Sequence, residues 1–375
     1  MITAIFLIII FVLMSSINCP PQWADDLEIS TTPKSPPITV LVDSEGGRVD
    51  WSHKNNLIAF CKLGADSFYD VYIMNPDGSG QVSLTKGKTE IPDYNNGIPA
   101  WHPSGDFIVF QAQDPKLKIP FFAKRWESYL TQGGSGLHNN LWIVTRDGKQ
   151  FFQLTQLKDR EFTLHPHFSH NGTKLFWTER TRGGKRFGGK WVLKLADFAF
   201  DRNHGPSLKN IKTIDPHPQK SFFYESHGFT PNDTKIIFST SIGRKSRVDL
   251  DIWTMDLDTG KLTQLTDTAG VWDEHAHYSP DGKKIVWISS QGFDFKPTKN
   301  WGETLTTEFW IMDADGTKKR RLTYFNQPGY PEYTGERTIC ADSAWNHDGT
   351  QLIGSQRVGE RNRIVLIDMS VIQTE

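Results

Sequence analysis

From residue 37 onward, runs of about four to six apolar and β-branched residues alternate with polar stretches that hold Asp-Gly, Pro-Asp-Gly or Asn-Gly. Within the runs the period is two, as in Ile252-Trp253-Thr254-Met255, which is the signature of a partly buried strand and not of a helix. The runs recur in a fixed order. One copy holds the strand Lys284–Ser289, the strand Glu308–Met312, the turn Asp313–Gly316 and the strand Lys319–Thr323. The copy before it has Lys235–Ser239, Asp251–Met255 and Leu262–Thr266 in the same places. The order recurs after Trp51 (Ile58–Cys61, Val71–Asn75, Val82–Thr85) and after Trp101 (Phe107–Gln111, Leu141–Thr145, Phe152–Thr155). It recurs in a divergent form after Phe168 (Lys174–Glu179, Lys190–Leu195, Ile211–Ile214), with Asp197–Leu208 reading as an irregular connection. After Trp345 only Gln351–Gln356 and Arg363–Asp368 follow.

Four short antiparallel strands per copy, at a period of about fifty residues, make the pattern of a propeller blade. Copies anchored on Trp51, Trp101, Phe168, Phe229, Tyr278 and Trp345 therefore predict an all-β fold, a six-bladed β-propeller of four-stranded antiparallel blades over residues 37–375. The sixth copy lacks an outer strand. Pro37–Val42 is the natural donor to complete it, closing the ring and removing the edge that an open array would leave.

The pattern Tyr278-Ser-Pro-Asp-Gly, Ile285–Ser289, Phe309–Gly316, Arg320–Thr323 resembles the WD-like repeats of TolB-type periplasmic β-propellers. The resemblance covers nearly all of the chain from residue 37. It implies an exported propeller that binds a partner. TolB itself carries an α/β domain before its propeller, whereas about twenty residues lie here between the apolar leader and the first strand. The chain is therefore expected to be TolB-like in its propeller only.

Ile5–Met14 is an uninterrupted apolar run, too short to span a bilayer comfortably and matching the apolar region of a secretory signal. A signal over residues 1–19 and a linker over 20–36 follow from it. Cys19 stands where a lipoprotein signal would place an acylated cysteine, which would attach the chain to a membrane through its N-terminus only. Because Ser16-Ile17-Asn18 departs from the usual Leu-small-small pattern, a simple cleaved peptide is the plainer reading. Either way the expectation is export, to the periplasm or outer envelope. Cys61 and Cys340 then read as two buried free thiols.

Composition narrows the function. Lys and Arg total 42 against 43 Asp and Glu, so there is no electrostatic case for a nucleic-acid partner. Neither a Gly-x-Ser-x-Gly elbow nor a phosphate-binding P-loop occurs in the sequence. Strand parity puts the Asp-Gly turns on one face of the disc. The long inserts Gln113–His138, Glu179–Gly189, Ser290–Thr306 and Tyr324–Cys340 fall on the other, where binding is expected. Trp126, Trp272, Trp301 and Arg48 are candidate binding residues there, and Phe293 and Tyr330 are further near-face aromatics.

Aligning the first strand of each copy on its aromatic residue brings His165, His167, Glu225, His227, Glu274, His275, His277 and Asp342 to the channel mouth on that face. His165 and His167 differ by two, as do His275 and His277, and so share a side of their strands. Imidazole and carboxylate side chains converging from neighbouring blades are able to hold a divalent ion such as Zn or Mn, with His165, His167, His227, His275, His277 and Asp342 as candidate ligands. A channel lined by polar side chains without a metal is the simpler alternative.

Two functions follow. In the first, the elaborated face binds a protein or glycan without catalysis. In the second, the chain is similar to oligogalacturonate lyases that combine WD-like blades with histidine metal ligands. That resemblance implies that His165, His227, His275 and His277 hold the ion and that Glu225 or Glu274 serves as ligand or base. Arg48 or the basic stretch Arg180–Lys190 would then meet an acidic sugar.

Overall fold

The computed structural model describes residues 35–115, 136–158, 161–182, 189–201, 203–298 and 301–372. The expected signal, Cys19 and Trp126 lie outside these residues, as do most of the linker, of the insert 113–138 and of the tip of the basic stretch.

The strands form six four-stranded sheets. The first is β2 (Gly46–Ser52), β3 (Leu57–Leu63), β4 (Tyr69–Met74) and β5 (Val82–Ser83); the second is β6 (Asn96–Trp101), β7 (Phe107–Gln113), β8 (Asn139–Thr145) and β9 (Phe151–Gln153). The third is β10 (Phe162–Phe168), β11 (Lys174–Arg182), β12 (Lys190–Asp201) and β13 (Gly205–Ile214); the fourth is β14 (Tyr224–Phe229), β15 (Lys235–Thr240), β16 (Asp251–Asp256) and β17 (Leu262–Gln264). The fifth is β18 (Asp273–Tyr278), β19 (Lys284–Ser289), β20 (Glu308–Asp313) and β21 (Arg320–Arg321). The sixth takes β22 (Thr338–Trp345), β23 (Gln351–Val358) and β24 (Arg361–Asp368) from the C-terminal end, and β1 (Ile38–Val42) from the other end of the chain. The predicted all-β six-bladed propeller is the fold.

β1 pairs antiparallel with β24 through Ile38–Ile367, Thr39–Leu366 and Val40–Val365, so the expected closure of the ring is what forms. First strands pack side by side in a closed cycle, β2 to β6 to β10 to β14 to β18 to β22 and back to β2. Blade faces pack through six apolar clusters, one per junction. At the closing junction Val42, Ala344, Ile353 and Ile364 of the sixth blade meet Val49, Trp51, Ile58 and Phe60 of the first. Cys61 and Cys340 are buried free thiols.

One segment differs from its sequence reading. Asp197–Leu208 is not irregular: β12 and β13 continue as a long hairpin through Phe198–Leu208, Ala199–Ser207, Phe200–Pro206 and Asp201–Gly205. Phe200 packs at a tilt against Phe107 of the second blade, with ring centroids 4.5 Å apart, so the hairpin is held near its tip by its neighbour.

The connection Tyr324–Cys340 is fixed by one buried carboxylate. Glu308 accepts from Thr323 Oγ1 (2.7 Å) and from the Asn326 backbone (2.8 Å) and side chain (3.0 Å). Asn326 in turn accepts from the Thr338 N–H at 2.7 Å.

Two outcomes are expected. A chain truncated to start at Asp43 leaves β24 as an open edge and uncovers the closing cluster. It should lose more than about 2 kcal/mol of stability and self-associate with rising concentration, as read by thermal unfolding and light scattering. Burial also pushes the Glu308 carboxyl up to about 7, well above its unfolded value. The stability of its neutral form is therefore complete below pH 4.5 and is lost as pH rises through 7, a change of up to about 3 kcal/mol. Glu308→Gln should flatten that part of the melting-temperature profile between pH 4.5 and about 7.

Candidate metal centre

All six first strands are irregular at their near-face end. The ladder to the second strand skips two residues in β2 (Gly46 to Val49), β6 (Gly97 to Ala100), β10 (Leu164 to His167), β18 (Glu274 to His277) and β22 (Cys340 to Ser343), and one in β14 (Ser226 to Gly228). Pro99 and Pro166, which have no N–H to give a ladder, sit in these bulges, where none is needed. Ile98, His165 and His275 take positive φ of 52°, 45° and 53°, a left-handed conformation uncommon for side chains other than glycine. The bulge re-aims their side chains out of strict alternation.

Side chains from the second strands satisfy the backbone that the bulges free. Gln111 on β7 donates to Thr163 O (2.6 Å) and accepts from His165 N (3.4 Å). Thr178 on β11 accepts from Ser226 N (2.9 Å), and Ser239 on β15 donates to Asp273 O (3.1 Å). The second, third and fourth blades thereby each fix the first strand of the next.

Into this ring the structure brings every described histidine and carboxylate that the alignment singled out. His165 Nε2 lies 3.0 Å from Glu225 Oε1. His275 Nε2 lies 3.3 Å from Glu274 Oε2 and 3.8 Å from Glu225 Oε1, and its Nδ1 lies 3.8 Å from Asp342 Oδ1. His277 Nε2 is hydrogen-bonded to the same Asp342 oxygen at 3.1 Å. The rings pair in two tiers: His165 with His275 at 5.1 Å between centroids, and His167 with His277 at 5.6 Å. His227 packs against His275 at 5.4 Å. His165, Glu225, His227, Glu274, His275 and Asp342 are buried, while Arg48, Asp50, His167 and His277 are half-buried.

The electrostatics follow from crowding. Burial, reinforced for His165 and His275 by the Arg48 charge and for His227 by that of His277, holds these three imidazoles well below their ordinary range, so they are neutral at pH 7. Burial and His277 press His167 down to about 3. Glu225 goes the other way, well up, through burial and through the charge and hydrogen bond of Glu274; Glu274 is also raised by burial. The two act as a carboxyl pair that keeps a proton. Asp342 is held well below its usual range: burial opposes ionisation, but the His277 hydrogen bond and the Arg48 charge favour it. Burial raises Asp50 to about 6 against backbone N–H donors from Trp101 (2.5 Å) and Trp51 (2.9 Å), which tie the first blade to the second.

A metal ion fits these residues. His165, His275 and Asp342 offer ligand atoms within 4.8 Å of one another, and so do Glu225, His227 and His275. His167 Nε2, His227 Nδ1 and His275 Nδ1 are buried without a hydrogen-bond partner. Ser239 Oγ lies 2.6 Å from His227 Nε2, and the His275 backbone N–H donates to the same nitrogen at 3.3 Å, so the ring is held in place from the fifth blade as well as from its own. Neutral imidazoles with a carboxylate are the donors that zinc and manganese take.

The aromatic candidates land elsewhere. Trp272 is buried, stacked on Trp301 at 4.5 Å, and its Nε1 donates to Glu274 Oε2 at 2.9 Å. It braces the carboxyl pair instead of presenting a face to a ligand, because the insert 290–306 folds Phe295 and Leu305 over it. Tyr330 is stacked on Tyr324 at 3.9 Å, and Phe293 lies under the Arg321 guanidinium. Ser239, Gln111 and Thr178 went unnoticed in the sequence. Their signal was a small polar or amide residue at the fifth position of an otherwise apolar second strand, shared by Cys61, Gln111, Thr178, Ser239 and Ser355.

No protein-family model matches the sequence. A dipeptidyl-peptidase 5 from Porphyromonas endodontalis is 24% identical over 239 residues, 59% of this chain and 33% of that protein. The chain thus spans a third of this curated relative's length. Among solved structures, TolB from Acinetobacter baumannii superposes with a TM-score of 0.53 at 16% identity, over 84% of this chain and 65% of that one. An oligogalacturonate lyase from Vibrio parahaemolyticus gives 0.51 at 11% identity, over 90% of this chain and 95% of the lyase. Likenesses this remote in sequence establish architecture, and the chain is a TolB-like six-bladed β-propeller in fold.

Proposed function

We propose that the chain binds a divalent transition-metal ion at the near-face mouth of its ring and is a metal-dependent enzyme acting on an acidic polysaccharide. The observation that carries this reading is the convergence of neutral, partnerless imidazole nitrogens with Glu225, Glu274 and Asp342 in one buried cluster. The whole-length likeness in architecture to an oligogalacturonate lyase supports the substrate class.

Bound there, the ion would supply Lewis-acid polarisation of a substrate carboxylate or hydroxyl oxygen. Residues of the chain do the rest. His165, His227 and His275 are kept neutral and therefore able to ligate near pH 7. The Glu225–Glu274 pair holds a proton above the usual carboxylate range, as burial and the shared charge require, which suits a general acid or base. Trp272 Nε1–H fixes the Glu274 oxygen facing His275.

A second reading rests on TolB as a neighbour: an exported propeller that binds a protein partner on the same face, without catalysis. It predicts that the central histidines are dispensable for binding.

Elemental analysis decides between them. The purified protein, dialysed against metal-free buffer after exposure to zinc or manganese, should retain about one equivalent of metal. A His275→Ala/His277→Ala double variant should retain none and should lose activity on acidic oligosaccharides by at least about a hundredfold. Metal absent from both proteins would remove the enzyme reading in favour of the second.

The pH dependence has a definite sign. Because the carboxyl pair is raised and must release its proton to ligate, metal affinity should keep rising with pH above the ordinary carboxylate range, by up to about tenfold per unit for each proton released. Calorimetric titration in two buffers of different ionisation enthalpy measures that release.

A further inference from the structure

One cation already sits where the ligand atoms converge. Arg48 Nη1 lies 2.7 Å from His275 Nε2. A guanidinium has donors and no acceptor, so the nitrogen is the acceptor and its lone pair is committed to Arg48. The neutral ring then carries its proton on Nδ1. Both groups able to hold an ion include His275: one with His165 and Asp342, the other with Glu225 and His227. The arginine disables each of them, occupying Nε2 directly and fixing the proton on Nδ1.

The surroundings match a cation position. Glu274 Oε2 and Glu225 Oε1 lie 3.3 and 3.8 Å from the same nitrogen, so lone pairs crowd one point. The Arg48 charge also helps to hold Asp342 ionised, after the His277 hydrogen bond. The arginine backbone is fixed. Its N–H donates to Cys61 Sγ at 3.1 Å, and a side chain on Gly47 would meet that sulfur at 2.4 Å. The side chain is only half-buried, so it can leave the nitrogen for solvent without moving the strand.

We propose that Arg48 is a resident counter-cation that a divalent metal must displace from His275, so that guanidinium and metal occupancy are mutually exclusive. This rests on the metal centre argued under Proposed function. Arg48 would then set how tightly the ion is held: the wild type binds it against a charge already in place, and repulsion at this separation is large in a buried site.

The test is calorimetric titration of Mn2+ and of Zn2+ into metal-free full-length wild type, Arg48→Gln and Arg48→Lys. Arg48→Gln should bind each ion at least about tenfold more tightly than wild type, with Arg48→Lys between them. Equal or weaker binding by Arg48→Gln, with wild type still binding, overturns this proposal alone. No binding by any of the three overturns the metal centre and this proposal with it. Thermal unfolding shows whether each variant is folded. Nitrogen-15 imidazole spectra of the metal-free wild type give a readout that needs no variant. They should show the His275 proton on Nδ1 before metal is added and a change of the Nε2 signal, with the Nδ1 proton kept, when metal takes the place of the guanidinium; a proton on Nε2 before metal overturns the proposal.

Discussion

Six first strands pass through the middle of one ring, and that crowding is the constraint on which the rest of the structure depends. Away from the mouth the strands satisfy it with apolar side chains that fill the junctions between blades. At the near-face mouth they satisfy it with bulges. A bulge loosens the ladder, frees backbone groups and turns side chains inward, and it holds only if something else takes up those groups. Gln111, Thr178 and Ser239 do so from the second strands, crossing to the next blade. The site is therefore a property of the closed ring: the first strands of the third, fourth and fifth blades are each held by the blade before, and β1 closes the cycle.

The sequence showed the blades clearly because their determinants are local. Period-two alternation, Asp-Gly turns and a recurring aromatic residue are each legible within about ten residues. Even the closing strand was legible, from the sixth copy's missing partner. The convergence of His165, Glu225, His275 and Asp342 was legible too, since once strands are aligned on their aromatic residues, equal positions face the same axis. The alignment did not give the tiers. Reading His275 and His277 as same-side neighbours assumed an unbroken strand, and the left-handed turn at His275 depends on packing across blades. Both side chains still reach Asp342, by different routes.

Other features were hidden for identifiable reasons. Asp197–Leu208 looks irregular because its alternation of Phe198 and Phe200 is followed by Asn203, Gly205 and Pro206, a turn-like cluster. Proline is tolerated there because β13 is an outer strand with no further neighbour. Trp272 looked like a binding platform because it precedes a candidate carboxylate on an elaborated face. Only the fold of the insert 290–306 shows that its ring is covered and that its N–H is the part that matters.

A channel lined with polar groups and water has no need of this composition. Burying ionisable groups together is unfavourable unless their charges are cancelled or their protons withheld. Here both devices operate: the imidazoles stay neutral, the glutamates share a proton, and Asp342 alone is held firmly ionised against His277 and Arg48. What remains is an excess of lone pairs over donors. His227 Nδ1 and His167 Nε2 have no hydrogen-bond partner, and two carboxyl oxygens lie within 3.8 Å of His275 Nε2, the atom to which Arg48 donates. A purely structural network would be relieved by a few more donors, such as an asparagine or a lysine in place of a histidine. Retaining acceptors with nothing to accept is unfavourable for folding and useful only if a cation is to be received, which is the physical reason to place function at this end of the ring.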